Sequence, residues 1–462
     1  MSNTPSEASI TQHPGHRTKG EKWITDKAWI SGLAGALSVI LCGYFYSAYK
    51  VFDHGLHIFG WQITSSKNDS VVAAIIIIAG AMVLTELGRL LLWDVSMFKQ
   101  RDPLITQKRY KEFFKQCLSV FLLNGLLVAV VSAIYLNTPQ HQAWHNIIDF
   151  FWKAYLILGF PYIALTRAYK YNPEADKKDY ANLVKKCLLF VLSSFPGQEN
   201  NKPEFGLNEH KATMGLAVKL FFAPLMTSFC FNQFPFLVSN IGYIMDGLIN
   251  HIANGTYTHK LFNKDLLNVS KSFIFSIDVA LAWCGYIVSS RWLDNQTQSA
   301  EQTLLGWLVC LLSYPPFQLL GLYFMWPSES AILRFENLWL ISFFSLLSIL
   351  SFFIYTAATI FFGVRFSNLT NRGIIRTGPY ALIRHPAYAS KNFSWWCVMF
   401  PAILLNLETT GIPMVLTMTV GLSVQTWIYY LRAITEERHL SADPQYLEYC
   451  KQVKYRFIPG VI

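Results

Sequence analysis

The chain has 462 residues, of which 53% are hydrophobic, 16% are aromatic and only 14% are charged. Soluble domains carry about a quarter charged residues, so this composition excludes an ordinary soluble protein and indicates a membrane protein. The net charge of +10 is typical of basic loops on the cytoplasmic side of a bilayer, and without a base-reading motif it predicts no nucleic-acid partner. The eight cysteines are scattered without metal-ligand spacing, so we expect neither a disulfide framework nor a metal site.

Ten apolar segments follow a polar stretch, residues 1–27, that predicts a disordered N-terminal tail. A transmembrane helix needs about 20 mainly apolar residues. The segments lie at about residues 29–49, 71–93, 117–136, 147–165, 214–250, 267–289, 304–325, 338–362, 393–407 and 412–431. We predict an all-α, polytopic integral membrane bundle of about ten transmembrane helices, about seven of them in residues 28–337 and the rest in residues 338–462.

One of these ten segments is irregular, and a shorter apolar piece lies outside them. The segment 214–250 contains Pro224 and Pro235, which predicts one spanning helix with an irregular or re-entrant extension. The apolar piece 183–195 begins beside two lysines and is too short to span, so we expect it to lie on the membrane surface.

Ionisable residues within predicted spans are costly and often functional. Glu86 and Arg89 are three residues apart and can pair on one helical face. Asp278 and Lys219 lie in mid-span without a partner visible in the sequence. Buried interhelical pairing and a place in the lining of a substrate site are equally open for Asp278.

The distribution of basic residues predicts the topology. The loops 94–116, 166–213 and 363–392 are strongly basic, whereas the loop 137–146 has no Lys, Arg, Asp or Glu. Because basic loops remain on the cytoplasmic side, we expect a multi-pass protein with both termini in the cytoplasm.

The basic island, residues 363–392, is the first candidate for chemistry. It holds five basic residues and no Asp or Glu. A helix that begins near Pro386 would leave free backbone N–H groups for an anion, with His385 and Tyr388 on one side. The alternative is a basic loop that only satisfies the positive-inside rule.

A second charged cluster follows the last hydrophobic hairpin, which Glu408–Gly411 turns. Arg432 and Glu436 are four residues apart and share a helical face just below the membrane. Glu437 comes next, and a Tyr-x-x-Tyr pair follows it. The alternative is an amphipathic juxtamembrane helix with a routine Arg432–Glu436 ion pair.

The order of these motifs resembles that of the isoprenylcysteine carboxyl methyltransferase family and its phospholipid methyltransferase relatives. It runs Gly-Pro-Tyr-x-x-x-Arg-His-Pro-x-Tyr, a hydrophobic hairpin, Arg-x-x-x-Glu-Glu and Tyr-x-x-Tyr. The resemblance covers about residues 338–462 and not the first seven helices. It implies a membrane methyltransferase core that binds S-adenosylmethionine in a cytoplasm-facing pocket under the last helices.

The same resemblance assigns roles to residues. Glu436 would hold the amino group of the methionine part of the cofactor, and Arg432, the expected catalytic residue, would face the methyl acceptor. The other implied cofactor-binding residues are Arg372, Gly373, Ile374, Ile375, Tyr380, His385, Pro386, Ala387 and Tyr388. The acceptor would enter from the lipid bilayer, either as a prenylcysteine-like carboxylate or as a lipid head group.

Membrane sterol reductases provide a rival resemblance, since they have a similar C-terminal core, about ten helices and an Arg-His-x-x-Tyr segment. They use NADPH to reduce a ring double bond. Their Arg-Asp motif, with a cysteine a few residues on, is replaced here by Arg-Ala-Ile-Thr-Glu-Glu-Arg at residues 432–438. The sequence therefore favours the methyltransferase over the reductase, and over a transporter or structural protein. Ser390 stands where the methyltransferase family usually has glycine, which would narrow the pocket.

Overall fold

A computed structural model describes residues 23–93, 101–136, 142–195, 202–318 and 336–461 of the chain. Within these residues, eight helices are long and apolar enough to cross a membrane. The predicted fold class, an all-α polytopic membrane bundle, is confirmed. In the described parts of the chain, strands occur as two short antiparallel pairs. They are β1 (His57–Ile58) with β2 (Trp61–Gln62), and β3 (Ser299–Ala300) with β4 (Thr370–Asn371).

The described chain contains twelve helices of at least eight residues. They are α1 (Trp29–Ala48), α2 (Lys67–Trp93), α3 (Tyr110–Leu136), α4 (Gln142–Tyr169), α5 (Tyr180–Ser193), α6 (Leu207–Gly242), α7 (His259–Ile287), α8 (Leu304–Leu311), α9 (Leu338–Phe362), α10 (Pro386–Thr409), α11 (Ile412–Leu440) and α12 (Pro444–Gln452).

Two of the ten predicted spans differ from the eight membrane-competent helices. The segment 304–325 is not one continuous helix, because α8 ends at Leu311 and turns follow as far as residue 318. Pro315 and Pro316 lack the N–H that a continuing helix would need, and residues 319–325 lie outside the described chain. α10 has 24 residues, but its first turns belong to the polar island, so its apolar part is short.

The irregular or re-entrant extension expected in 214–250 is not re-entrant, since helical structure continues from Leu207 to Ala253, and its irregularity is limited to a π-helical turn. α6 passes through both prolines, and a π-helical turn, Tyr243–Leu248, follows it. Pro224 cannot donate to the carbonyl of Leu220 four residues earlier. The Tyr135 hydroxyl donates to that carbonyl instead, at 2.6 Å, which explains how the helix tolerates the proline.

The N-terminal helices pack directly on the C-terminal core. α1 lies against α2, α6, α7 and α9. A Cβ atom at Gly32 would lie 1.9 Å from the carbonyl oxygen of Ile360, so glycine permits the close approach of α1 and α9. Any larger residue at this position would push the two helices apart.

The predicted pair of Glu86 and Arg89 is confirmed, and a third residue joins it. Arg89 donates to both carboxylate oxygens of Glu86, at 2.6 and 2.9 Å. Arg365, from the basic island, donates to Glu86 at 2.5 Å. All three side chains are buried, so this cluster fastens α2 to the segment that follows α9.

The end of the predicted disordered tail is ordered in the structure. Residues 1–22 lie outside the described chain, but Ile24–Lys27 forms a 3-10 helix. Asp26 pairs with Arg376 at 2.7 Å, and the Thr25 hydroxyl donates to the carbonyl of Ile374 at 2.6 Å. These contacts to the basic island, invisible in the sequence, are the reason that the segment adopts one conformation.

Candidate active site

The basic island leaves the helical bundle at Phe362 and returns to it at Pro386. Gly363 begins the path with a φ of +53°, a left-handed conformation that favours glycine. β4 then pairs with β3, which places Asn371 opposite Ser299. α10 begins at Pro386, as predicted from the sequence, because the missing N–H of proline is tolerated in a first turn.

Arg372 fastens the island to the end of α7. Its guanidinium donates to the carbonyls of Val288 and Asn295, each at 2.7 Å, and also to that of Gly285. Burial lowers the pKa of Arg372 to about 10. The guanidinium is thus fully engaged by backbone carbonyls and holds the loop rather than facing a ligand.

The other arginines in the first half of the island also have internal partners. Arg365 donates to Glu86, as described above. Arg376 donates to Asp26 at 2.7 and 2.9 Å and lies 4.1 Å from the ring centre of Trp23. The hydrogen bonds to Asp26 raise the pKa of Arg376. These cations therefore stabilise the loop conformation.

The C-terminal tail closes the other side of the island. The backbone N–H of Arg384 donates to the carbonyl of Tyr455, and that of His385 to the carbonyl of Arg456, both at 2.9 Å. The Tyr449 hydroxyl, from α12, donates to the carbonyl of Tyr380 at 2.7 Å. The tail thus satisfies backbone groups that the non-helical island cannot satisfy by itself.

Glu437 is the anchor of this arrangement. Its carboxylate lies 3.0 Å from Arg456, 3.2 Å from His385 and 3.3 Å from Arg384. Its side chain is only 10% exposed. Three basic groups around one buried carboxylate make Glu437 a structural residue that joins α11, the island and the tail.

Glu436 has a different environment from its neighbour. Its side chain is 39% exposed and accepts a hydrogen bond from the Tyr388 hydroxyl at 2.7 Å. His385 lies 3.9 Å from the Glu436 carboxylate and stacks on the ring of Tyr388, with ring centres 5.4 Å apart. The Glu436 carboxylate is oriented by Tyr388 and remains available to a cationic group.

Arg432 lies one helical turn before Glu436 but does not pair with it. Its guanidinium lies 5.0, 4.9 and 5.7 Å from the ring centres of Tyr388, Tyr429 and Tyr314. It donates to the side-chain oxygen of Asn368 at 3.3 Å. Among the described residues, no carboxylate lies within 4.0 Å of it. An aromatic cage therefore buries this cation and leaves it without an anionic partner.

Three adjoining cavities meet at Glu436, which lines all of them. Arg432 and Tyr388 line the first and second of these cavities, and Tyr380 and His385 line the first and third. Their volumes are about 70, 30 and 60 Å³, below the roughly 300 Å³ at which ligand pockets begin. A ligand of cofactor size would therefore require the side chains between the cavities to move apart.

The cavity walls carry polar groups without a partner. The hydroxyl of Thr370 and the Nε of Arg384 are buried and make no hydrogen bond with the described residues. Burial raises the pKa of the Tyr380 hydroxyl well above its ordinary value, so it stays protonated. Unpaired buried polar groups of this kind are what a polar ligand would satisfy.

The structure brings most of the predicted site residues together. Ten of the eleven line at least one cavity: Arg372, Gly373, Ile374, Ile375, Tyr380, His385, Ala387, Tyr388, Arg432 and Glu436. Pro386 does not, and serves to start α10. Ser390, expected to narrow the pocket, also lies outside the cavity walls, since its hydroxyl donates back to the carbonyl of Pro386 at 2.7 Å.

Several residues of the site could not be found from motif spacing. Tyr314 comes from the turns after α8, and Asn368 and Thr370 carry no pattern of their own. Asp278 lies behind the cavity wall, where it accepts hydrogen bonds from Tyr355 at 2.7 Å and Thr359 at 2.6 Å. Asp278 therefore supports two lining side chains and does not itself line the cavity.

The chain matches no protein-family model, no curated protein and no solved structure. The arrangement around Glu436 must therefore be interpreted by its own chemistry. It offers an oriented carboxylate, a caged guanidinium and aromatic rings, at the end of a bundle of membrane-competent helices.

Proposed function

We propose that the protein is an integral membrane methyltransferase that uses S-adenosylmethionine and acts on a lipophilic acceptor. One observation carries the proposal. The Glu436 carboxylate, oriented by Tyr388, stands where three cavities meet, while Arg365, Arg372 and Arg376 are engaged inside the protein. The site therefore offers a carboxylate to a cationic ligand group.

The residues present fit the groups of this cofactor. Glu436 would bind its ammonium group, and the buried Nε of Arg384 would donate to its carboxylate. The ring of Tyr380 and its aromatic neighbours provide an apolar slot for adenine. When bound, the cofactor supplies an electrophilic methyl group, which passes to the acceptor as the carbon–sulfur bond breaks and leaves a neutral thioether.

The acceptor would approach from the membrane side of Arg432. The caged guanidinium has no carboxylate partner among the described residues, so it suits an acceptor carboxylate or a lipid phosphate. Lys391 is close by, 5.3 Å from the ring centres of both Tyr355 and Trp395, and adds positive charge to the same wall. The bundle would keep the acceptor's apolar tail in lipid while its polar head reaches the site.

Ligand binding tests the proposal against its rival, an NADPH-dependent reductase of the sterol-reductase type. Isothermal titration of the purified protein should detect S-adenosylhomocysteine, and NADPH should not bind at the same concentrations. The physical reason is that NADPH has no cationic group to pair with the Glu436 carboxylate, whereas the ammonium group of S-adenosylhomocysteine can pair with it. Binding of NADPH without binding of S-adenosylhomocysteine would replace the methyltransferase by the reductase.

A further inference from the structure

A fourth cavity, of about 470 Å³, lies between α3, α4, α5 and α6. It shares no lining residue with the three cavities around Glu436. Its rim includes Ser289 and Gln296, from the segment that Arg372 fastens, so it opens at the same end of the bundle as the basic island. Its volume lies within the range of about 300–1,000 Å³ for sites that bind small molecules.

One wall of this cavity is an apolar stripe on α3. Val120, Leu123, Leu127 and Val128 line it at the spacing of one helical face. From Gln116, at the polar end of the same wall, to Val128 the helix rises about 18 Å. That length is close to half of the roughly 30 Å hydrocarbon thickness of a bilayer. The wall therefore matches the acyl chains of one lipid leaflet.

The end of the cavity at Gln116 is charged, since Arg167 donates to the side-chain oxygen of Gln116 at 2.7 Å. Arg167 pairs with Asp102 at 2.8 Å and with Asp176 at 3.6 Å. Arg291 pairs with Asp176 at 2.5 Å and with Asp179 at 3.7 Å. This network holds two arginines and three carboxylates, so it fixes the shape of the cavity and supplies no excess positive charge.

Lys219 lies outside this network. The cavity lining as a whole carries four cations, Arg167, Lys185, Lys219 and Arg291, and two carboxylates, Asp176 and Asp179. Lys219 lies 12 residues into α6 and lines the cavity. Its ammonium group stands 5.3 Å from the ring centre of Tyr180 and forms no hydrogen bond or ion pair with the described residues. Burial raises the pKa of the nearby Asp179 carboxyl, although Arg291 opposes the shift. A charged lysine within an apolar helix is costly without an anion.

We infer that this cavity binds one anionic phospholipid. The phosphate-bearing head group lies against Lys219 at the charged end, and the acyl chains run along Val120, Leu123 and Leu127 of α3. The charge of the head compensates the ammonium group, and the stripe explains why the occupant is an amphiphile and not a free anion. The exposed apolar side chains at the end of α5, among them Leu189 and Val191, place this rim of the cavity against the membrane.

Binding of short-chain lipids to the purified full-length protein tests this inference. Short-chain phosphatidylglycerol should raise the unfolding temperature, and phosphatidylcholine of the same chain length should have a much smaller effect. Glycerol 1-phosphate, which has the anionic group without the chains, should have none. Native mass spectrometry should show one tightly bound phosphatidylglycerol per chain.

Two variants address the two halves of the cavity. Lys219→Met removes the charge at nearly constant length and should weaken phosphatidylglycerol binding at least about tenfold. It should fold without difficulty, because it removes a charge from an apolar helix. Leu127→Trp fills the space along the apolar wall and should weaken the binding of both phosphatidylglycerol and phosphatidylcholine. Lys67→Met is the matched control, since Lys67 also lies over an aromatic ring, at 5.4 Å from Phe52, but is exposed.

Three results would overturn the inference. They are equal stabilisation by phosphatidylglycerol and phosphatidylcholine, an unchanged affinity in Lys219→Met, and stabilisation by glycerol 1-phosphate equal to that by the lipid. The last result would assign the cavity to a soluble anion. A loss of phosphatidylglycerol binding in Lys219→Met with unchanged binding in Lys67→Met supports it.

Discussion

The guanidinium of Arg365 donates to the carboxylate of Glu86 at 2.5 Å, across 279 positions of the chain. Both side chains are almost fully buried, at 1% and 0% exposure. Arg89 donates to the same carboxylate, so one anion serves two buried cations. The site-bearing island is therefore fixed by a residue of the N-terminal helices, and those helices are part of the framework of the site.

Glu86→Gln should destabilise the protein strongly. The substitution leaves Arg89 and Arg365 buried without a carboxylate, and the loss of one member of a buried pair costs about 3–5 kcal/mol. Thermal unfolding in detergent measures the effect. Glu112→Gln is the control, because Glu112 pairs with Arg109 in the same three-residue spacing but at half exposure, where a change of less than about 1 kcal/mol is expected. Equal unfolding temperatures for the two variants would contradict the role of the cluster.

The helices were predictable because their signal is local. Length and hydropathy located the eight membrane-competent helices, and the proline rule located the start of α10. The same locality explains why the irregularity expected in 214–250 is not at a proline, but at the π-helical turn Tyr243–Leu248. Pro224 indicates a break, but the hydroxyl that repairs it belongs to Tyr135, on another helix, and no local pattern reveals such a partner.

The site was predictable in part for a similar reason. Glu436 and Tyr388 come from motifs with fixed spacing, whereas Tyr314 and Asn368 reach Arg432 only through the tertiary fold. Arg372 shows the opposite case. The resemblance assigns it to cofactor binding, but three backbone carbonyls accept hydrogen bonds from its guanidinium. Spacing in the sequence does not reveal that a side chain is buried.

Reporter fusions test the predicted topology. Fusions after residues 105 and 375 should be cytoplasmic, and a fusion after residue 141 should lie on the other side, because the basic loops stay in the cytoplasm. Protease accessibility in sealed vesicles is an independent measurement. A fusion after residue 375 on the outer side would exclude the proposed site, since S-adenosylmethionine is a cytosolic cofactor.

Glu436→Gln should weaken binding of S-adenosylhomocysteine by more than roughly tenfold. A partly buried charge-assisted hydrogen bond contributes about 1.4 kcal/mol or more, and glutamine keeps the shape while removing the charge. Isothermal titration measures the affinity. Unchanged affinity would mean that Glu436 only orients Tyr388.

The adjacent substitution, Glu437→Gln, should act on stability. Glu437 holds Arg384, His385 and Arg456 together, and hydrogen bonds to charged groups contribute about 1.5–3 kcal/mol each. A lower unfolding temperature is therefore expected. If Glu437→Gln left the unfolding temperature unchanged, the tail would be anchored by its backbone hydrogen bonds alone.

Arg432→Lys separates the acceptor site from the cofactor site. The structure removes the simplest alternative, an Arg432–Glu436 ion pair, because the guanidinium is held by three tyrosine rings and Asn368. Lysine keeps the charge but lacks the planar fork that binds a carboxylate or phosphate bidentately. Turnover should therefore fall at least roughly tenfold, with S-adenosylhomocysteine affinity and unfolding temperature near wild type. If Arg432 only supports the tyrosine cage, turnover, affinity and stability fall together, so the three measurements on one variant decide between the two roles.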